Sequence, residues 1–515
     1  MLLRKIVIDG TDIDLVHNEY IKSDCGYISL IVGPNGSGKS KVLEAISATG
    51  IIRQYLEYKG SKNADGRDGL RIDRRPIGFL DGVSFKESRI IYENKETNNL
   101  SVKRFNPNYQ GVSYDRFAYE FSGNEVPSKI VCVTNSIFNK FPSITNTLNR
   151  EFDYDYSSYQ NLSISEDILE GGKSLVHGSK SKIFSKLILN ALFSGKESFN
   201  KLVSFLNTFG ISGGYKLHLR PGNMLKGVSS EGVHNVSSVR EWYEREVQIN
   251  NQGKRVITGD IIDLLDEVFK TLFANKKIKD YEEYDNSHYF PDSYSFPIDV
   301  NDEHDSENEF YKKIKLIAEY GFITVDKFDF KKNDRDISLD SMSSGEINLF
   351  LLLFKINSVI EDDSIILIDE PELSLHPAWQ NEIIPSLKKA FSSYSGCHFI
   401  IATHSPHVVA SIPKENSSVT ILNNYPSTEP GYHFSGKSSD FQLFSVLGFV
   451  GAENDYLITQ FIIILSKLAS EENLTKGEEK LLGVSGDILQ NINTSARLKH
   501  LILQVIHLNK DISNE

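Results

Sequence analysis

The octapeptide GPNGSGKS at 33–40 fits G-x-x-x-x-G-K-[ST], and each residue type in it suits a phosphate. Gly36 and Gly38 leave the loop free of side chains, so successive backbone N–H groups can converge on one oxyanion. Lys39 adds a positive charge near the β- and γ-phosphates, and the Ser40 hydroxyl is a hard ligand for Mg²⁺. The candidate nucleotide-binding residues here are Asn35, Gly36, Ser37, Gly38, Lys39, Ser40 and Lys41. A plain Gly-rich turn is the alternative. Against it, an apolar strand precedes the loop and a helix follows, as phosphate binding requires. The pattern implies binding of a nucleoside triphosphate.

Two further stretches offer chemistry. SIILIDEP, 364–371, is an apolar strand ending in two acids. Asp369 can hold the Mg²⁺ shell, and Glu370 can polarise a water as general base. CHFIIATHSP, 397–406, is another apolar strand, and its His404 follows Asp369 by 35 residues, room for one helix and one strand. That layout sets His404 beside Glu370 in a parallel sheet, where the imidazole can reach a γ-phosphate. Acids and a histidine at strand ends are common structural features when met alone. Behind a phosphate loop they become candidate catalytic residues, with Lys39. A fourth stretch, DSMSSGEINLF at 340–350, is a Ser/Gly turn opening a helix. It is either an ordinary N-cap or a site for an anion.

The elements that must position these residues occupy the two ends of the chain. Residues 1–50 read as strand, strand, loop and helix. Short strand-like runs between 70 and 135 (SRIIYENK, SVKRF, SKIVCVT) suggest an antiparallel β-layer. From 145 to 320 helical patterns dominate, including KIFSKLILNALFSGKESFNKLVSFLNTF and GDIIDLLDEVFKTLF, with an acidic, Tyr-rich linker at 277–310. Strand and helix alternate again from 321 to 435, and 436–515 reads as a helical tail. The expected division is 1–144 and 321–435 for the α/β part, 145–320 for the insertion and 436–515 for the tail.

In order, the phosphate loop, Ser-Ser-Gly-Glu, Asp-Glu, SLHP and His404 resemble the ATP-binding-cassette ATPases. The resemblance implies a P-loop α/β head: a mixed sheet with helices plus an antiparallel β-layer, bearing a helical insertion and a helical C-terminal tail. It also implies that MSSGE (342–346) is a variant of the family's LSGGQ signature, so that Ser343, Gly345 and Glu346 meet ATP bound by a second subunit. SLHP (374–377) would then cross the interface of a homodimer of heads, and His404 would be the switch histidine. Where the family ends a strand with a glutamine of the Mg²⁺ shell, VCVTNSIFNKFP offers Thr134, Asn135 and Ser136. Asn135 is the candidate metal ligand beside Ser40 and Asp369; a buried turn asparagine is the alternative.

Within that class, LIDEPELSLHPAWQ and FIIATHSPHVVASIP are similar to SMC-like ATPases of bacterial defence. VCVTNSIFNKFP resembles the S-N-S-x-F-D-K-F-P segment of PtuA-type ATPases from Septu and retron systems. The resemblance implies ATP and Mg²⁺ as cofactors and a separate HNH-type nuclease as partner. A reverse transcriptase with its msDNA is a further implied partner. Three alternatives stay open, of which the first two are an SMC-like DNA-repair or DNA-clamping ATPase and an OLD-like ATPase without its nuclease domain. A metabolic ATPase with a ligand-binding insertion is a third.

Composition narrows the classes. The net charge is −13 and the pI about 5.6, so there is no global basic footprint for nucleic acid. Lys173, Lys180, Lys182 and Lys186 are either a DNA groove or a solvated face. The longest apolar runs, LFLLLF and FIIIL, are too short to span a bilayer, and a cytoplasmic location is expected. Cys25, Cys132 and Cys397 give neither a disulfide framework nor a zinc pattern. The absence of sustained heptads argues against a long coiled-coil arm.

Overall fold

The computed structural model describes residues 1–17, 26–62, 71–72, 84–93, 97–105, 108–109, 112–113, 116–122, 127–134, 140–142, 159–162, 188–189, 191, 196–221, 296–300, 309–319, 323–332, 335–338, 341–451 and 453–514. Two compact units result: Met1–Ser163 with Ile360–Glu515, and Ile164–Val359 between them.

The first unit is built on a seven-stranded sheet. Its strands lie in the order Tyr159–Asn161, Ile130–Thr134, Ile365–Asp369, His398–Ala402, Tyr27–Val32, Ser417–Ile421 and Ser427–Pro430. All neighbours are parallel except the last pair. Four of the five inner runs, IVCVT, IILID, HFIIA and YISLIV, are buried along their whole length. Such continuous apolar runs are what a sheet covered on both faces needs. Ile130–Thr134, grouped in the sequence with the antiparallel layer, belongs here instead, because it has no polar face to give to water.

A second sheet is antiparallel, in the order Thr11–Asp14, Leu2–Ile8, Glu87–Glu93, Thr97–Phe105, Arg116–Ser122 and Arg71–Ile72. Glu87–Glu93 alternates exposed and buried residues, the pattern of a sheet with one covered face. The helix Lys39–Lys62 touches strands of both sheets. Its Leu43, Ile46 and Ile51 share one core with Leu3, Ile6, Ile90 and Ile130. Gly50 lies against Ile130 in that core, where a Cβ would push the end of the Ile130 side chain aside.

The C-terminal tail is helical, as expected. Leu457, Phe461, Ile464 and Leu468 of the helix Asp455–Ala469 repeat at helical spacing and bury against Leu498, Ile502 and Val505 of Ala496–Asn514. No helix among the described residues is long and apolar enough to cross a membrane. Cys132 and Cys397 are buried and form no disulfide.

The second unit has a β component that a helical insertion does not include. A four-stranded antiparallel sheet runs Phe296–Val300, Ile211–Pro221, Ile323–Lys332, Arg335–Ser338. The helices Lys196–Thr208, Glu309–Glu319 and Ser344–Asn357 accompany it. Phe350 and Phe354 pack on Phe205 with ring centroids 5.8 Å apart in each pair. The expected helix at 259–273 and most of the acidic linker lie outside the described residues.

Candidate active site

Parallel register brings the tips of four strands into one row: Thr134 faces Asp369, Asp369 faces Ala402 and Ala402 faces Ile31. Whatever follows these residues must emerge at one edge of the sheet, the carboxyl edge where α/β proteins bind ligands. The loop 33–38, the acids 369–372 and the turn 403–405 all do so.

The loop folds by glycine chemistry. Gly36 and Gly38 have φ of 81° and 96°, a region that side chains with a Cβ rarely enter. The loop then feeds Lys39–Lys62, whose first ladder bond runs from Val42 N–H to Gly38 O at 3.0 Å. The N–H groups of Lys39, Ser40 and Lys41 precede that bond, so they and the helix dipole are open to an anion. The Lys41 side chain is turned elsewhere, to Asp9 at 2.8 Å.

Lys39 is 4% exposed. Its ammonium donates to Gly33 O at 2.8 Å and Pro34 O at 3.0 Å, so it lies folded inside the loop. Burial pushes its pKa down to about 8, against the nearby charges of Glu370, Asp369 and Glu372. Ser40 Oγ donates to Asp369 Oδ1 at 3.2 Å. Burial raises the Asp369 carboxyl to about 6, with the Ser40 hydrogen bond opposing and Glu370 adding to the rise. Cis ligands of an octahedral Mg²⁺ lie about 3 Å apart, so the Ser40–Asp369 pair suits one edge of that ion. Among the described residues no cluster of three or more His, Cys, Asp or Glu could hold a metal alone.

Glu370 has φ of 49° and leaves the strand sharply, with its N–H on Ala402 O at 2.9 Å. His404 Nε2 lies 3.6 Å from Glu370 Oε1. The imidazole pKa is lowered by burial and by the Lys39 charge, while Glu370 pulls the other way. A neutral ring is favoured there, able to donate one N–H. Thr134 Oγ1 donates to the Asp369 carbonyl at 3.2 Å, so its strand reaches the site; Asn135 lies outside the described residues.

The site therefore brings together Lys39, Ser40, Asp369, Glu370 and His404. Ser343, Gly345 and Glu346 belong to the other unit. There Ser343 caps the helix Ser344–Asn357 in a full capping box: Glu346 N–H reaches Ser343 Oγ at 3.3 Å, and Ser343 N–H reaches Glu346 Oε2 at 2.9 Å. Ser343 and Ser344 are exposed. The sequence reading missed Glu372, a third acid in the same DEPE turn, which is buried and accepts the His404 N–H. Its signal was its position two residues after Glu370.

Residues 8–409 match the family model of the AAA ATPase domain, AAA_15. The chain belongs to this family. This ATPase is 25% identical over 413 residues to the Retron Ec83 probable ATPase of Escherichia coli, which covers 77% of this chain and 67% of that relative. A shorter match, 35% over 103 residues, is to the Retron Vc95 probable ATPase of Vibrio cholerae serotype O1 biovar El Tor, 18% of this chain and 19% of the relative. Among solved structures, the SMC head domain from Thermotoga maritima aligns with 84% of this chain and 99% of its own, at 14% identity and a TM-score of 0.31. At that score the likeness carries no weight beside the sheet order described above.

Proposed function

We propose that the chain is the ATP-hydrolysing switch of an anti-phage defence complex, of the PtuA type found in Septu and retron systems, controlling a separate HNH-type nuclease. The observation that carries the ATPase part is the 3.2 Å contact of Ser40 with Asp369, beside a buried lysine and the Glu370–His404 pair. The defence role draws on the similarity to the Ec83 relative. In the retron setting a reverse transcriptase with msDNA would join the complex.

Asn35 to Lys41 would cradle the phosphates of ATP, with Lys39 shifting from the loop carbonyls to the β- and γ-oxygens. Ser40 and Asp369 would hold Mg²⁺, which neutralises phosphate charge when bound; Asn135 is a further proposed ligand. Glu370 would orient and deprotonate a water, and His404 would donate to the γ-phosphate. Ser343, Gly345 and Glu346 of a second copy would close the site, making ATP the glue of a homodimer.

Glu370→Gln keeps size and hydrogen bonding but removes the base. It should bind ATP, hydrolyse it at least 100-fold more slowly, and accumulate ATP-dependent dimer in sedimentation. Full turnover in this variant would reject Glu370 as the base. Co-purification from the native operon, read for a nuclease of HNH type, tests the partner.

A further inference from the structure

Glu372 is 9% exposed, and its Oε2 has no hydrogen-bond partner among the described residues. A buried carboxyl with a bare oxygen is costly to keep, so its other contacts must repay the cost. Its Oε1 accepts the His404 backbone N–H at 2.6 Å. Its own carbonyl accepts Leu375 N–H at 3.0 Å, which closes the turn into 374–377.

The turn that carries His404 is tied on either side of that residue, and Ser405 also caps the helix Pro406–Ala410. Thr403 N–H reaches Ile31 O at 3.1 Å, and Ser405 N–H reaches Thr403 Oγ1 at 3.0 Å. At residue 404 itself the backbone is held by Glu372. From the opposite side, Ser405 Oγ donates to Gln380 Oε1 at 2.6 Å and Gln380 Nε2 donates to Leu375 O at 2.9 Å. The acid turn and the histidine turn are thus joined through Glu372, which bonds both the His404 backbone and the Thr403 side chain, and through Gln380. Between them the reactive pair, Glu370 Oε1 and His404 Nε2, stands at 3.6 Å, loose enough that a small drift of either turn separates it.

We propose that Glu372 is a positioning residue: its carboxylate clamps the backbone of His404 so that the imidazole stays aimed at Glu370 and at the γ-phosphate side of the site. The role rests on the ATPase reading of the same site. Glu372 touches no substrate. It acts through His404, and what it supplies is an acceptor oxygen at a fixed reach, not a charge. The charged groups facing it are Glu370 and Lys39, and a role through charge would act on Lys39 and so on nucleotide affinity.

The test compares two small changes. Glu372→Gln keeps the reach of the acceptor and removes the charge; Glu372→Asp keeps the charge and shortens the reach by one carbon. Clamping predicts that the Asp variant loses tenfold or more in kcat, with nucleotide KM within about threefold, and that the Gln variant turns over at least fivefold faster than the Asp variant. The double variant Glu372→Asp with His404→Ala should be no slower than His404→Ala alone by more than twofold, because both changes remove one function. Hydrogen exchange of the segment 402–405, measured without nucleotide, should speed up in the Asp variant and not in the Gln variant. An Asp variant faster than the Gln variant, or losses that multiply in the double variant, would overturn the clamp. A wild-type chain with no turnover would overturn the ATPase reading instead. Exchange at 402–405 then still decides the clamp, with equal rates in all three proteins rejecting it.

Discussion

Lys39→Met separates the proposed phosphate-binding role of the lysine from any role in holding the fold. The wild-type ammonium is buried and its pKa falls from 10.5 to about 8. Each pH unit is worth about 1.4 kcal/mol, so at face value the charge costs the nucleotide-free protein about 3.5 kcal/mol at neutral pH. Pro34, Asn35 and Gly36 are exposed and water screens the loop from that side, so about 1–3 kcal/mol is the usable range. The sign follows from linkage: between pH 8 and 10.5 the unfolded lysine binds more protons than the folded one, so this group's destabilisation is full below pH 8 and fades as pH rises to 10.5. Methionine fills the same volume without the charge. It gives up the hydrogen bonds to Gly33 O and Pro34 O, of which Pro34 lies at the surface. The variant should therefore melt no lower than wild type without ligand. Wild type should gain about 2.7 kcal/mol when ATP stands a hundredfold above Kd, and the variant should gain nothing at the same concentration. Thermal unfolding with and without ATP reads both quantities. A ligand-free variant that melts far below wild type would make Lys39 a structural residue. One that keeps the ATP-induced shift would remove the loop from the site.

Ser343→Arg puts a bulky cation at the exposed front of its helix. If that helix caps a partner's γ-phosphate, turnover is lost with near-normal ATP binding, and mixing with Lys39→Ala restores one competent site per heterodimer in an ATPase assay; a plain cap predicts about 1 kcal/mol of lost stability and no rescue. Glu346→Gln keeps both arms of the capping box and removes a negative charge where the signature pattern has an amide. It should raise ATP-dependent dimer several-fold in sedimentation, and an unchanged dimer fraction counts against the trans contact. The Asp369 carboxyl sits near 6 in the ligand-free protein. The fold holds its proton above the unfolded value of 3.8, so this group's stabilisation is full below pH 3.8 and is lost as pH rises through 6. Mg²⁺ needs the ionised form, so the acid limb of kcat/KM should have a midpoint near 6 that moves down as Mg²⁺ is raised; a midpoint indifferent to Mg²⁺ removes Asp369 from the metal site.

What could be read from the sequence is what depends on local pattern. GPNGSGKS demands its positive-φ glycines whatever surrounds it, and behind a phosphate loop the apolar runs before Asp369 and His404 suit a covered parallel sheet. Both stretches therefore declare their sheet, and register then fixes that His404 meets Glu370. Ile130–Thr134 could not be assigned in the same way. Four apolar residues and a threonine before a turn look alike in either sheet, and its pairing with Ile365–Asp369 decides. The sheet of the second unit was hidden because Ile211–Pro221 and Phe296–Val300 pair across a long stretch of sequence, beyond the reach of any window of periodicity.

Glu372 shows the same limit at atomic scale. In DEPELSLHP it reads as one more acid in an acidic turn, and nothing nearby in sequence needs it. Its partner, the His404 N–H, lies 32 residues away and becomes a neighbour only when two strands pair. The residues proposed to touch nucleotide carry their chemistry in their own motifs. The residues that hold those motifs against one another are fixed by the tertiary fold, and in this ATPase the bond between the DEPE and THS turns is of that second kind.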